Sequence, residues 1–187
     1  MNEQQVAAIE EAQNTLAQTI DDVNDKNDQE GIKYLTFNVN GEVYGAEIDR
    51  IKEILEYGTV TRVPLTPAYL RGVINLRGNV VPVVDLAVRL GKDVNQITKR
   101  TCIIIVEMKS DEDEVMDIGF VVDEVDEVMD VPDDQVAAAP QFGTDIRSDF
   151  ISGMGKLRDK FIVLLQMEAV LSVAELSELV ELESEKY

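Results

Sequence analysis

The sequence lacks the residues on which most enzyme active sites depend. Its 187 residues include no histidine, no tryptophan and only one cysteine. Without histidine, Ser-His-Asp catalysis, Cys-His catalysis and most zinc sites are excluded. The glycine-rich phosphate-binding motifs GxxxxGKS/T and GxGxxG are also missing. The sequence therefore predicts a protein that is not an enzyme and that holds no metal and no cofactor.

Positive charge and long apolar runs are scarce as well. The chain has 17 basic residues against 37 acidic ones, a formal net charge of -20. Such a surface repels phosphate backbones and anionic membranes, so nucleic-acid binding is not expected. No apolar run approaches the roughly 18 residues needed to cross a bilayer, and the polar N-terminus does not resemble a signal peptide. We therefore expect a cytoplasmic protein without direct membrane insertion.

The single cysteine, Cys102, lies at the start of the apolar run 102–106. It cannot form an internal disulfide because the chain has no second thiol. We interpret it as a small buried hydrophobic residue rather than a reactive thiol.

Periodicity predicts a helix at each end of a β-rich body. Apolar residues recur at helical spacing over residues 6–23, and the shortness of this stretch favours a helix docked on the body over a dimerising coiled coil. Residues 24–30 form a polar linker, and residues 168–182 have the apolar face of a second helix. Between them lie short aliphatic runs bounded by turn residues, including the hairpin signal at Asn40 and Gly41.

The β-rich body contains an internal repeat. Residues 69–81 align with 150–162 without a gap, and residues 44–55 align with 118–129. The coinciding residues are Gly72, Leu76 and Arg77 with Gly153, Leu157 and Arg158, and Gly45, Asp49 and Glu53 with Gly119, Asp123 and Glu127. Two blocks in the same order imply two copies of one unit.

Each copy has about five short strands, which is the size of a small closed barrel. We predict one barrel that contains Gly45, Arg77 and Val81, and a second that contains the residues equivalent to them, Gly119, Arg158 and Ile162. Neither copy is large enough for a generous core of its own, so the two should share an interface.

Two charged residues in the first copy are singled out by the repeat. Glu53 and Arg77 can form a bidentate carboxylate–guanidinium pair if their elements are neighbours; otherwise they are independent surface charges. Asp85 follows the strand-like run 80–84 and is interpreted as a strand-terminal or helix-capping residue, not as a phospho-acceptor.

The segment RGVINLRGNVVPVVDL over residues 71–86 closely resembles the signature of the CheW family, the coupling proteins of bacterial and archaeal chemosensory arrays. The similarity extends over roughly residues 31–176. It implies a mainly β fold of two SH3-like five-stranded β-barrels packed together, with N- and C-terminal helices. The corresponding domains are a helical extension and linker over 1–30, the CheW-like domain over 31–176 and a helical tail over 177–187.

The resemblance also implies partners and sites. The expected function is an adaptor that couples the cytoplasmic tip of methyl-accepting chemoreceptors to the regulatory domain of the histidine kinase CheA, in the cytoplasm but recruited to membrane-associated receptor arrays. The implied receptor-binding residues are Arg77, Val80, Cys102 and Val128, and the implied kinase-binding residues are Ile48, Ile51, Glu53 and Phe142. For the apolar receptor-binding residues, an ordinary role in the core is the alternative.

Other interpretations remain open at this point. The chain can instead be the coupling protein of a non-flagellar chemosensory system, with surface motility or another output. A generic SH3-like module that binds proline-rich peptides is disfavoured, because such grooves are lined by aromatic residues and only 5% of this chain is aromatic.

Overall fold

A computed structural model describes residues 3–21, 31–109, 113–139 and 146–184. Strands β1 to β5 are Ile32–Val39, Glu42–Glu47, Ile51–Glu56, Leu70–Leu76 and Asn79–Asp85. Strands β6 to β11 are Cys102–Lys109, Val115–Val122, Glu124–Val131, Val136–Ala137, Ile151–Leu157 and Lys160–Leu165. Helices α1 to α4 are Glu3–Asp21, Leu86–Arg89, Met167–Val170 and Val173–Ser184.

The strands form two sheets. Sheet A has the order β8-β1-β2-β11-β10-β9, and sheet B has the order β3-β6-β7-β5-β4. The prediction of a mainly β protein, with two packed SH3-like units and helices at both ends, is confirmed. The units are not closed by backbone hydrogen bonds in the described part of the chain, because each sheet has two separate edge strands.

The two copies of the repeat exchange hairpins. Gly45 in β2 lies beside Leu164 of β11 in sheet A, and Gly119 in β7 lies beside Val83 of β5 in sheet B; both pairings are parallel. The prediction that Gly45 shares a barrel with Arg77 and Val81, and Gly119 with Arg158 and Ile162, is therefore wrong. Equivalent hairpins carry equivalent patterns, so the repeat identifies which residues correspond but not which copy supplies the pairing edge.

The same two glycines lie where neighbouring strands approach closely. A Cβ atom at Gly119 would lie 2.7 Å from Cγ2 of Ile103, and one at Gly45 would lie 2.9 Å from Cδ2 of Leu164. Real Cβ atoms do not approach other atoms so closely, so glycine suits the parallel pairing of β2 with β11 at Gly45 and the antiparallel pairing of β7 with β6 at Gly119.

One hydrophobic cluster joins the two sheets. It contains Phe37 and Tyr44 from sheet A together with Ile104 and Phe120 from sheet B. Burial of such large side chains is the main source of stability in a small domain. The shared interface predicted for the two copies is thus a common core, and the sheets are halves of one interlocked body.

Helix α1 docks on this body. Its residues Ile9, Ala12 and Leu16 are buried, and it packs against β8 and β3. The amide of Gln13 donates a hydrogen bond to the carbonyl oxygen of Ile54 at 3.0 Å. This agrees with the prediction from residues 6–23, which favoured a helix docked on the body over a dimerising coiled coil.

The C-terminal helical region is interrupted. The sequence predicted one helix over residues 168–182, but α3 ends at Val170 and α4 begins at Val173. The hydroxyl of Ser172 accepts a hydrogen bond from the Glu175 backbone N–H, and the Glu175 carboxylate accepts one from the Ser172 backbone N–H. This reciprocal capping box starts α4, so a domain boundary at residue 176 falls inside that helix.

Candidate functional site

Arg77 and Glu53 form a bidentate ion pair. The two terminal guanidinium nitrogens of Arg77 donate to the two carboxylate oxygens of Glu53 at 2.9 and 2.8 Å. The Arg77 side chain is 72% exposed and that of Glu53 is 23% exposed. Hydrogen bonding to Glu53 raises the pKa of Arg77 above its usual value. The pair is a surface feature with a fixed, planar geometry.

The ion pair joins the two edges of sheet B. Glu53 lies on β3, one edge strand, and Arg77 lies in the turn that connects β4, the other edge strand, to β5. The sheet must therefore curl until its edges meet. Arg77 has the left-handed φ of 52° that a tight hairpin turn requires, and Asn75 Oδ1 accepts a hydrogen bond from the Gly78 backbone N–H. Among the described residues, the equivalent Arg158 and Glu127 form no ion pair with each other.

The four residues implied in receptor binding fall into two groups. Arg77 and Val80 belong to the β4–β5 hairpin, whereas Cys102 begins β6 and Val128 lies on β8. The register places Cys102 beside Val122, at the opposite end of β7 from the level of Val80. Arg77 and Val80 therefore share one hairpin, and Cys102 lies at the other end of the sheet from that hairpin.

Cys102 and Val128 lie in the region covered by α1. The amide nitrogen of Gln5 on α1 is 3.7 Å from Sγ of Cys102, and Cys102 is fully buried. Burial raises the pKa of this thiol to about 11. Val128 is half-buried and packs against the hydrophobic cluster to which Ile9 and Leu16 of α1 belong.

The residues implied in kinase binding differ in accessibility. Ile48 and Ile51 are buried in the core, while Glu53 is half-buried at the surface. Next to Glu53, the exposed Lys52 forms an ion pair with Asp117 at 3.0 Å. Phe142 lies outside the described residues.

The signature segment over residues 71–86 is held in place by a buried ion pair between Arg71 and Asp85. Nε of Arg71 donates to the Asp85 carboxylate at 2.8 Å, and the Asp85 carboxylate also accepts from the backbone N–H of Val88 at 3.3 Å. A second guanidinium nitrogen of Arg71 donates to the carbonyl oxygen of Asn95. Asp85 is therefore the N-cap of α2, and its interpretation as a helix-capping residue is confirmed.

Sequence reasoning missed a titratable carboxyl group on β8, Asp126. The carboxylate of Asp126 accepts hydrogen bonds from the Asn38 amide at 2.8 and 3.0 Å. Burial, reinforced by Glu124 and Glu127, raises the pKa of Asp126 from 3.8 to about 6. Nothing in the sequence around Asp126 indicated this, because the shift comes from burial between strands that are distant in the chain.

We expect Asp126→Asn to stabilise the protein at pH 7 and to have little effect at pH 4. Because the pKa is raised in the folded state, the folded chain keeps a proton that the unfolded chain has released between about pH 4 and 6. The charged carboxylate destabilises the folded state above pH 6 and not below pH 4. Because solvent screens this half-buried group, the gain at pH 7 should be about 1 to 2 kcal/mol.

Urea unfolding at several pH values measures this difference. Asp130→Asn, which removes an exposed carboxylate paired with Lys33 from the same strand, is the control. A gain from Asp126→Asn that is equal at pH 4 and pH 7 would contradict the raised pKa.

Together, these features define a class of protein: an interlocked β scaffold that offers surfaces to other proteins. None of the described helices is long and apolar enough to span a membrane. The surface features are a charged hairpin, an acidic exterior and an apolar seam covered by a helix.

Comparisons with known proteins identify the family within this class. Residues 33–175 match the family model for the CheW-like domain. The chain is 31% identical over 147 residues to the chemotaxis protein CheW of Klebsiella aerogenes, covering 79% of this chain and 86% of that protein. It is 35% identical over 144 residues to the chemotaxis protein CheW of Bacillus subtilis, covering 75% and 87%.

A solved structure agrees with these relatives. The crystal structure of the scaffolding protein TtCheW from Thermoanaerobacter tengcongensis superposes with a TM-score of 0.69 at 31% identity, covering 76% of this chain and 89% of that one. The chain therefore belongs to the CheW-like family of chemotaxis scaffold proteins. The family predicted from the signature segment is confirmed, and with it the function of a chemotaxis adaptor.

Proposed function

We propose that this chain couples the cytoplasmic tip of transmembrane chemoreceptors to the regulatory domain of the histidine kinase CheA, and that it catalyses no reaction. It would act in the cytoplasm, recruited to membrane-associated receptor arrays. Its membership of the CheW-like family carries this proposal. The lack of histidine and of phosphate-binding motifs supports a purely structural role.

The proposed receptor surface includes Arg77, Val80, Cys102 and Val128. An α-helical receptor hairpin presents apolar residues at helical spacing, which suits a groove with an apolar floor and a charged rim. Val128 would belong to the floor and Arg77 to the rim. Val128 lies in sheet A and Arg77 in sheet B, so a surface containing both would span the interlocked body.

The proposed kinase surface is on β3. Glu53 would contact the kinase directly, with Ile48 and Ile51 supporting the strand from the core. Phe142, outside the described residues, is proposed as a second contact. Two different faces make the assembly heterologous, so adaptor and kinase domains can alternate in a ring if the angle closes.

Val128→Asp should weaken binding of the receptor without weakening binding of the kinase. A charge on the apolar floor should weaken binding of a receptor cytoplasmic hairpin by about tenfold or more, and leave binding of the CheA regulatory domain within about twofold. Pull-down followed by calorimetric titration with each purified partner measures both affinities. Val115→Asp, at a valine that is 52% exposed on β7, is the matched control. Equal loss of both partners would indicate unfolding, and no binding by the unmodified chain would refute the proposed function.

Glu53→Ala and Arg77→Ala should weaken partner binding to the same extent. Each removes one half of the bidentate pair and frees the β4–β5 hairpin from β3, so each should weaken partner binding by about fivefold while the fold persists. The double variant should be little worse than either single one. Arg147→Ala, at another exposed arginine in an ion pair, controls for loss of charge. Strictly additive losses would show that the pair does not act as a unit.

A further inference from the structure

Helix α1 occupies the seam between the two sheets. It packs against β8, an edge strand of sheet A, and against β3, an edge strand of sheet B. Ile9, Ala12 and Leu16 provide its buried face, at the spacing of one side of a helix. A helix with this pattern is the kind of ligand that helix-in-groove recognition uses.

The seam beneath α1 contains part of the proposed receptor surface. Cys102 has no exposed area, and Gln5 of α1 is itself 2% exposed with its amide nitrogen against the Cys102 sulfur. Val128 belongs to the strand on which α1 packs. A receptor helix can reach Cys102 only if α1 leaves.

The packing of α1 on the body is incomplete. A groove of about 280 Å³ remains open between α1 and β3, lined in part by Ile9, Gln13 and Ile54. Two acidic residues, Glu10 of α1 and Glu56 of β3, line the same groove. Like charges at a contact that is not fully packed weaken it, and a helix in a protein takes most of its stability from the face that it packs. The contact is therefore suited to reversible release.

We propose that α1 is a built-in occupant of the helix-binding seam, and that the amphipathic helix of a chemoreceptor tip displaces it. The inference rests on the proposed function and adds a regulatory step to it. A docked α1 lowers the fraction of molecules competent to bind the receptor, so the apparent affinity falls by that fraction. Helix α1 also packs against β3, but the Glu53 carboxylate, the proposed direct kinase contact, is held by Arg77 of the β4–β5 hairpin.

Ala12→Glu tests the proposal with Ala7→Glu as its control. Ala12 is fully buried on the face of α1 that contacts the body, whereas Ala7 of the same helix is exposed, so both variants add the same charge and only one unseats the helix. The full-length Ala12→Glu chain should bind a receptor cytoplasmic hairpin about tenfold more tightly than the unmodified chain. Ala7→Glu should bind it unchanged, and binding of the CheA regulatory domain should be the same for all three.

Cys102 reports independently on the position of α1. It is the only cysteine of the chain, and burial under α1 should keep it from reacting with a thiol reagent such as 5,5′-dithiobis(2-nitrobenzoic acid). Ala12→Glu should accelerate labelling by about tenfold or more, and saturating receptor hairpin should slow it again by covering the same thiol. Ile9→Asp provides a second way to unseat the helix.

The outcomes are distinguishable. Faster labelling without tighter receptor binding would overturn the inference while leaving the proposed function intact. Unchanged labelling in both Ala12→Glu and Ile9→Asp would also overturn it, because α1 would not be a removable cover. Failure of every variant and of the unmodified chain to bind the receptor hairpin would refute the proposed function itself, and the inference with it.

Discussion

Replacing Phe120 by alanine should lower the free energy of unfolding by about 3 to 5 kcal/mol. Phe120 is fully buried on β7, where it lies beside Val84 of β5 and Ile104 of β6. It belongs to the hydrophobic cluster that both sheets share. The cost combines the lost transfer of a large apolar side chain with the cavity left behind. Because the copies exchange hairpins, we expect the loss to weaken both sheets together.

Urea unfolding followed by circular dichroism measures this effect. Phe161→Ala is the matched control, since Phe161 is 65% exposed and its removal should change stability by less than about 0.5 kcal/mol. We expect one cooperative transition for the unmodified chain and for Phe120→Ala. Two separate transitions would contradict the interlocked body.

Asp85→Ala should cost a similar amount, about 3 to 5 kcal/mol, for a different reason. The Asp85 side chain is 1% exposed and that of Arg71 is 17% exposed, so the variant leaves a guanidinium nearly buried without its counter-charge. It also removes the cap from the N-terminus of α2. The lost stability is the free-energy cost of leaving a buried charge without a partner, and it is larger than the stabilisation that the intact ion pair provides.

The double variant distinguishes this mechanism. Removing Arg71 as well should recover part of the stability, because no uncompensated charge then remains. Asp134→Ala, at an exposed aspartate, is the control and should be close to neutral. A cost below about 1 kcal/mol for Asp85→Ala would show that the cation finds water or another partner.

Much of the fold follows from local sequence patterns. Asn40 and Gly41 both adopt positive φ, as the hairpin signal required, and they join β1 to β2. The aliphatic runs became strands because alternating or continuous apolar residues suit a pleated, buried surface. The signature segment over residues 71–86 was long enough to indicate the family by itself. These features depend on residues close together in the chain, so composition and spacing reveal them.

The pairing of the copies depended on tertiary structure. The repeat correctly indicated two equivalent units, but Gly45 pairs with Leu164 and Gly119 with Val83, across the copies. Both arrangements satisfy the same backbone hydrogen bonds, and only three-dimensional packing selects one of them. The same holds for α1, whose apolar stripe predicted docking but not the strands it covers.

What the sequence determined alone is the kind of protein: a β-rich CheW-like scaffold, from a chain without histidine. What only the tertiary structure decided is which side chains are accessible. The resemblance implied Ile48, Ile51 and Cys102 as contact residues, and all three are buried. The reason is physical: whether an apolar side chain faces a partner or the interior depends on which distant elements pack over it, and local sequence does not contain that information.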